Sequence, residues 1–117
     1  MPSTVEPRFR YCLAPTDDVC LVSGENQVTR RELLAMAGRF AALRPVAPGD
    51  RVVVYAENSP EWVAAFLSAW KQRAVAVPVD AQAGLEDVAG IFGDCEPTAV
   101  FCGRANQERA AAALGRA

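Results

Sequence analysis

The feature that most restricts the fold of this chain is an unbroken apolar run, Val52-Val53-Val54-Tyr55, held between two strong stops. The turn Pro48-Gly49-Asp50 precedes it and Ser59-Pro60-Glu61 follows it. A β-branched run without polar alternation has no face suited to water. It fits a strand covered on both sides, as in a parallel sheet between helices. The second stop reads as a helix start. Ser59 caps it, Pro60 suits the first helical position, and Glu61 favours the positive end of the helix dipole. Trp62, Phe66 and Trp70 then recur every four residues, with Val63 and Leu67 beside them.

The flanking sequence continues the alternation. Residues 1–17 are polar, contain Pro2, Pro7 and Pro15, and read as an irregular lead-in to one α/β domain over 18–117. Val19 to Val22 reads as a short strand, Gly24-Glu25-Asn26 as a turn, and Gln27-Val28 as the return strand of a small hairpin. Thr29 and Glu32 form a capping box that opens a helix, with Leu33, Leu34, Ala37, Phe40 and Ala41 on its inward face. Pro45 and the following Pro-Gly turn end that unit. Ala74 to Val79 is the next strand, whose Pro78 belongs at the strand end or at a gap in the ladder. Leu85, Val88, Ile91 and Phe92 mark a third helix, Thr98 to Cys102 a further buried strand, and 105–114 a last, Ala-rich helix closing near Gly115. The order β, α, β, α, β, α, β, α predicts an α/β fold: a mainly parallel sheet flanked by helices and joined by right-handed crossovers.

Composition removes whole classes of function. The 117 residues include no His, which excludes a Ser-His-Asp triad, a Cys-His pair, His-based zinc sites and a His proton switch. A net charge of −2 gives no electrostatic footprint for nucleic acid or an anionic membrane. No apolar stretch approaches the ~20 residues needed to span a bilayer. The opening MPSTVEPRFRYC has no apolar core for a signal peptide. The four cysteines, Cys12, Cys20, Cys95 and Cys102, form no C-x-x-C pair. Cys20 and Cys102 lie in apolar runs and read as small hydrophobes. A reduced, cytoplasmic setting is expected.

Chemistry in an open α/β sheet sits beyond the carboxyl ends of its strands. Those positions are Glu57-Asn58, Asp80-Ala81-Gln82 and Gly103-Arg104. None carries the Gly-rich turn that lets backbone N–H groups converge on a phosphate. Glu57 and Glu61 crowd the one well-capped helix start with negative charge, so ordinary capping is the reading there. Asp17-Asp18, and Asp87 with Asp94, read as solvated charge rather than paired acid–base carboxylates. Lys71 reads as a partner for the helix C-terminus. The Trp62/Phe66/Trp70 stripe reads as core or as a packing face for another domain, because base-stacking platforms come with basic grooves.

Two stretches in fixed order carry a family resemblance. The first is Val28-Thr29-Arg30-Arg31-Glu32-Leu33-Leu34, followed by Pro48-Gly49-Asp50-Arg51-Val52-Val53-Val54. The second is Asn58-Ser59-Pro60-Glu61-Trp62, followed by Ala74-Val75-Ala76-Val77-Pro78-Val79-Asp80. Together they resemble the N-terminal region of the adenylate-forming (AMP-binding) ligases, nearest in pattern to acyl-CoA synthetases, over about residues 19–102. Arg30 stands where the family commonly has an aromatic, and Gln72-Arg73-Ala74 replaces a small, Gly-containing lead into the strand.

The resemblance implies an ATP-dependent reaction: a carboxylate attacks the α-phosphate of ATP, and coenzyme A or a carrier-protein pantetheine then takes the acyl group, with magnesium shielding the phosphates. The family's Ser/Thr/Gly-rich phosphate loop, acidic magnesium motif, ribose-binding Asp and mobile-domain Lys all lie beyond the matched region. No catalytic, cofactor-binding or metal residue of this chain is therefore assigned, and the expected cofactors belong to a full-length relative. A fatty-acid or related carboxylate is the expected substrate class. Expected partners are the remainder of the ligase or a second copy of the chain. The alternative is a stand-alone α/β interaction or regulatory module that binds a partner protein. A flavodoxin-like nucleotide binder ranks below both, since the strand ends lack glycine-rich turns.

Overall fold

The computed structural model describes residues 14–116. Most of the expected lead-in and Cys12 lie outside the described residues, and residues 14–17 carry no helix or strand. The elements are β1 (Val19–Ser23), β2 (Asn26–Thr29), α1 (Arg30–Leu43), β3 (Arg51–Tyr55), α2 (Pro60–Lys71), β4 (Val75–Val79), α3 (Leu85–Cys95), β5 (Ala99–Cys102), a 3-10 turn (Arg104–Asn106) and α4 (Gln107–Arg116). Strands β4, β3 and β5 form a parallel sheet with β3 in the centre.

The local signals act as expected. The Thr29 hydroxyl accepts from the Glu32 amide at 3.1 Å, and the Glu32 carboxylate accepts from the Thr29 amide at 3.0 Å. The Ser59 hydroxyl accepts from the Trp62 amide at 3.1 Å. Each pair satisfies helix-start amides that have no partner within the helix. Lys71 sits in the last turn of α2.

The central run is sandwiched. Val52, Val53, Val54 and Tyr55 are each 1 % exposed or less. Val53 and Tyr55 pack with Val79, Val88, Phe92, Ala110 and Ala113, which places α3 and α4 on one face. Val52 packs with Ala69, Ala74 and Ala99 on the other, beneath α2. Helix α1 joins that second layer through Leu33 and Ala37 against Ala64 and Leu67. Each fully buried valine contributes roughly 1.5–3 kcal/mol of apolar transfer free energy. Pro78 pairs opposite Val54 within β4. It is accommodated there because β4 is an edge strand of the sheet.

Two points refine the expected sheet. The expected hairpin forms, and as a sheet of its own: β1 pairs antiparallel with β2, so the first strand of the alternating order stands outside the parallel sheet. The short turn at Gly24, whose φ is 62°, closes that pairing locally, whereas a parallel neighbour needs a long crossover. Leu21 and Val28 reach the α1–α2 layer, while Val22 stays 69 % exposed. The second point concerns β5. It is an edge strand, buried at Ala99, half-buried at Val100 and Phe101, and exposed at Cys102.

Among the described residues, two non-glycine residues have left-handed backbones, Arg73 (φ 61°) and Glu96 (φ 48°). Arg73 is the position where the chain departs from a Gly-containing pattern, and the conformation shows why glycine suits it. Glu96 closes α3, its amide donating to the Phe92 carbonyl. Glu96→Gly keeps that bond and removes the Cβ penalty. It is expected to raise the free energy of unfolding by about 0.5–1 kcal/mol in urea denaturation, after the larger chain entropy of glycine is subtracted. A loss of stability would show that Glu96 holds the helix end through its side chain.

Candidate functional site

The parallel sheet brings the carboxyl ends of β3, β4 and β5 to one rim, and the residues beyond them meet there. The Gln82 side chain donates to the Glu57 carboxylate at 3.0 Å. The Gln82 amide donates to the Asp80 carboxylate at 2.8 Å. Asn106, 5 % exposed, donates through its side chain to the Ala81 carbonyl at 2.9 Å. The Gly103 amide donates to the Tyr55 carbonyl at 3.1 Å. A Cβ on Gly103 would stand 3.2 Å from the Asn106 side-chain oxygen, so this turn approaches its neighbour closely. Beneath the rim, the buried Tyr55 hydroxyl donates to the Ala83 carbonyl at 2.8 Å. Arg109 donates to both of those oxygens at 3.2 Å.

Two open grooves flank the rim. The larger, about 580 Å³, runs between Phe40 and Leu43 of α1, Phe101 and Cys102 of β5, and Trp62 at the start of α2. Phe40 and Phe101 meet in its wall with ring centroids 5.3 Å apart. The smaller, about 410 Å³, lies between Trp62 and the end of β4 at Pro78 and Asp80. Glu57 and Trp62 line both grooves and divide them.

The predicted strand-end positions are therefore assembled, but their chemistry is that of a stitched turn cluster. A triphosphate needs converging amides and cations. Here Glu57 and Glu61 share the larger groove with Arg104, Asp80 lines the smaller one, and the rim amides of Gln82 and Gly103 are already used within the chain. Among the described residues, no three Cys, Asp or Glu groups come together to hold a metal. This donor set does not fit ATP with magnesium.

The other weighed residues fall on the surface. Asp17 receives the Arg31 guanidinium at 3.0 Å in an exposed pair, and Arg31 also donates to the Pro15 carbonyl. Such pairs contribute about 0–1 kcal/mol. Asp18 accepts from the Thr16 hydroxyl. Asp87 and Asp94 are exposed on α3. Trp70 is 50 % exposed and Trp62 and Phe66 are half-buried, which corrects a core placement for that stripe. The buried face of α2 is made by Ala64, Ala65, Leu67, Ser68 and Ala69. Sequence reasoning missed the Tyr55–Arg109 network and the Gln72 clamp. The Gln72 side chain accepts from the Val46 amide and donates to the Ser68 carbonyl. A polar tip on the last residue of an apolar run was the one signal for the former.

The cysteine reading is also corrected. Cys20 and Cys102 are exposed free thiols, because β1 belongs to the hairpin and β5 is an edge. Cys95 is half-buried. Burial pushes the Cys102 thiol above its ordinary value. Burial does the same for Cys95, with Asp94 adding to the rise and the backbone and Arg51 opposing it. A raised folded pKa favours the protonated form. Alkylation of Cys95 and Cys102 by iodoacetamide is accordingly expected to rise at higher pH in the folded chain than in the urea-unfolded chain. The same sign makes these thiols destabilising as pH climbs through and beyond the ordinary thiol range. Coincident pH profiles for folded and unfolded protein would contradict it.

Comparison with known proteins adds independent findings. The family model described as AMP-binding enzyme matches residues 10–117. The long-chain-fatty-acid–CoA ligase FadD13 of Mycobacterium tuberculosis is 32 % identical over 104 residues, which cover 86 % of this chain and 19 % of the ligase. A benzoate CoA ligase from Burkholderia xenovorans LB400 shares the fold with a TM-score of 0.82 at 21 % identity, over 96 % of this chain and 24 % of that one. The N-terminal domain of FACL13 from Mycobacterium tuberculosis, in an inhibitor-bound crystal structure, matches with a TM-score of 0.67 at 30 % identity. That match covers 75 % of this chain and 23 % of the other. The chain thus spans about a fifth to a quarter of the length of these relatives.

Proposed function

The chain belongs to the AMP-binding enzyme family, and from that premise we propose that it is part of the N-terminal domain of a carboxylate-activating ligase and supplies framework rather than chemistry. Residues 18–117 act as one α/β unit of that larger domain. The whole enzyme would join a carboxylate to ATP with loss of pyrophosphate, and then pass the acyl group to coenzyme A or a carrier-protein pantetheine. A fatty acid or related carboxylate is the substrate class we favour, a reading supported by the long-chain-fatty-acid–CoA ligase among the relatives. A cytoplasmic setting suits free thiols, and among the described residues no helix is long and apolar enough to cross a membrane.

The observation that carries this reading is the strand-end rim. Its amides and side chains are committed to one another, and its free charge is mainly negative. No residue of this chain is assigned to catalysis, to a cofactor or to a metal. The test is carboxylate-dependent pyrophosphate exchange with a panel of fatty, aryl and amino acids. The 117-residue chain is expected to give no signal above the no-enzyme background, and any saturable, carboxylate-dependent exchange would refute the proposal.

A second reading, a stand-alone interaction module, draws on the exposed aromatic flank of α2. Size-exclusion chromatography with light scattering separates the two. A stable monomer that binds no apolar dye counts against a partner-seeking module.

A further inference from the structure

The larger groove beside the rim, about 580 Å³, has the volume of a small-molecule site and an apolar interior. Buried Val54 and Ala65 line its depth, and the rings of Phe40, Phe101 and Trp62 stand around it. Phe40 and Phe101 lean on each other at 5.3 Å, and Trp62 is held from behind by Phe66 at 4.5 Å. The rings are therefore braced by their neighbours and keep the groove open without a ligand.

Its charged groups are few and unevenly matched. Glu57, Glu61 and Arg104 line the same groove. Among the described residues, the side chains of Glu61 and Arg104 make no hydrogen bond or ion pair, and Glu57 gives a single oxygen to Gln82. Two carboxylates against one guanidinium leave the groove negative. The positive end of α2 adds about half a unit charge, too little to cancel the excess, and the Trp62 amide there is already taken by the Ser59 hydroxyl.

We propose that this groove is a binding site for a small organic ammonium ion carrying an aromatic or alkyl body. The apolar depth takes the body. The aromatic rings offer their negative faces to the cation, and Glu57 and Glu61 accept from its N–H groups. Charge chooses this occupant over others of the same size. A carboxylate or phosphate would face two carboxylates, and a neutral ligand would gain nothing from them. The negative charge that keeps a triphosphate from the rim selects a cation here. The inference concerns this chain's own residues and stands apart from the ligase reading.

Three probes share a phenethyl body and differ only in the head group: phenethylammonium, phenethyl alcohol and hydrocinnamate. Each is titrated into the chain labelled with 5-fluorotryptophan and followed by fluorine NMR. The two tryptophans separate the groove from its surroundings, because Trp62 lines it and Trp70, about two helical turns further along α2, does not. Phenethylammonium is expected to move the Trp62 resonance saturably and to leave Trp70 nearly unmoved. It should bind about fivefold more tightly than the alcohol and about tenfold more tightly than hydrocinnamate. Glu61→Gln should weaken it about threefold and Arg104→Gln should strengthen it about twofold. Glu86→Gln, on α3 across the sheet, should leave it unchanged. Added salt should shrink the advantage of the ammonium head. Circular dichroism checks that each variant folds, and if Glu61→Gln does not, Arg104→Gln and the salt series carry the test. Equal affinity for the three probes, or no saturable movement of Trp62, overturns the proposal. A preference for hydrocinnamate would make this a carboxylate site at Arg104 and overturn it too. So would a Trp62 resonance that shifts with chain concentration before any probe is added, since a second copy would then fill the groove.

Discussion

Tyr55→Ala is expected to remove about 3–5 kcal/mol of stability, a large part of the ~5–15 kcal/mol that holds a domain of this kind together. Among the described residues, Tyr55 is the largest fully buried side chain, 0 % exposed at the end of the central strand. Its ring packs with Val53, Val79, Val88 and Phe92, so truncation opens a cavity where the sheet meets α3 and α4. Neighbours fixed by a strand on one side and two helices on the other have little freedom to collapse into it. The hydroxyl adds a second, separable effect. It ties the β4–α3 connection to the sheet through the Ala83 carbonyl, and it accepts from Arg109 on α4.

Tyr55→Phe isolates that polar part and is expected to cost only about 0.5–1.5 kcal/mol. The reason is local: Arg109 also donates to the Ala83 carbonyl, so that oxygen keeps a partner when the hydroxyl is gone. Urea unfolding followed by far-ultraviolet circular dichroism gives both values. Should the two variants prove equally unstable, the hydroxyl network and not the ring would be what holds this end of the sheet.

The parts of the fold legible in the sequence are those set by short-range chemistry. The Thr29–Glu32 box and the Ser59 cap each act across three residues, so their spacing is their geometry. The Val52–Tyr55 run announces a sandwiched strand because no polar residue interrupts it. What stayed hidden depends on distance along the chain. The Gln82–Glu57 and Asn106–Ala81 contacts span 25 residues, and Arg109 meets Tyr55 across 54. The strand-end rim could be placed from the fold rule, yet the stitching that fills it could not.

Helix α2 shows a subtler failure. Helical spacing correctly groups Trp62, Phe66 and Trp70, but it cannot say which group faces the core. Large rings suggest an inward face. The tightest packing instead falls to Ala64 and Ala69, both 0 % exposed, because a helix pressed against both a sheet and another helix needs small side chains at the contact. The free edge at Cys102 was hidden for a related reason: a four-residue strand reads the same at an edge as in the middle.

That last ambiguity gives the sharpest test of the topology. Val22 and Val53 both sit in apolar β runs, one in the hairpin and one in the central parallel strand. Val53→Asp places a carboxylate at a 0 % exposed position among apolar side chains, and is expected to cost more than about 4 kcal/mol and leave the chain largely unfolded at neutral pH. Val22→Asp, at a 69 % exposed position opposite Gln27, is expected to change stability by no more than about 0.5 kcal/mol. The pH dependence carries a definite sign. Burial raises the carboxyl pKa of the Val53→Asp chain above its unfolded value, so the folded state binds the proton more tightly. The deficit relative to the parent is therefore smallest below the unfolded pKa and grows as pH rises through the folded one. Chemical denaturation of both variants between pH 4 and 8, about one unit apart, reads the contrast directly. Equal damage from the two substitutions would mean that β1 lies inside a sheet and not in an exposed hairpin. A Val53→Asp deficit that did not shrink on acidification would mean that the central strand has access to water.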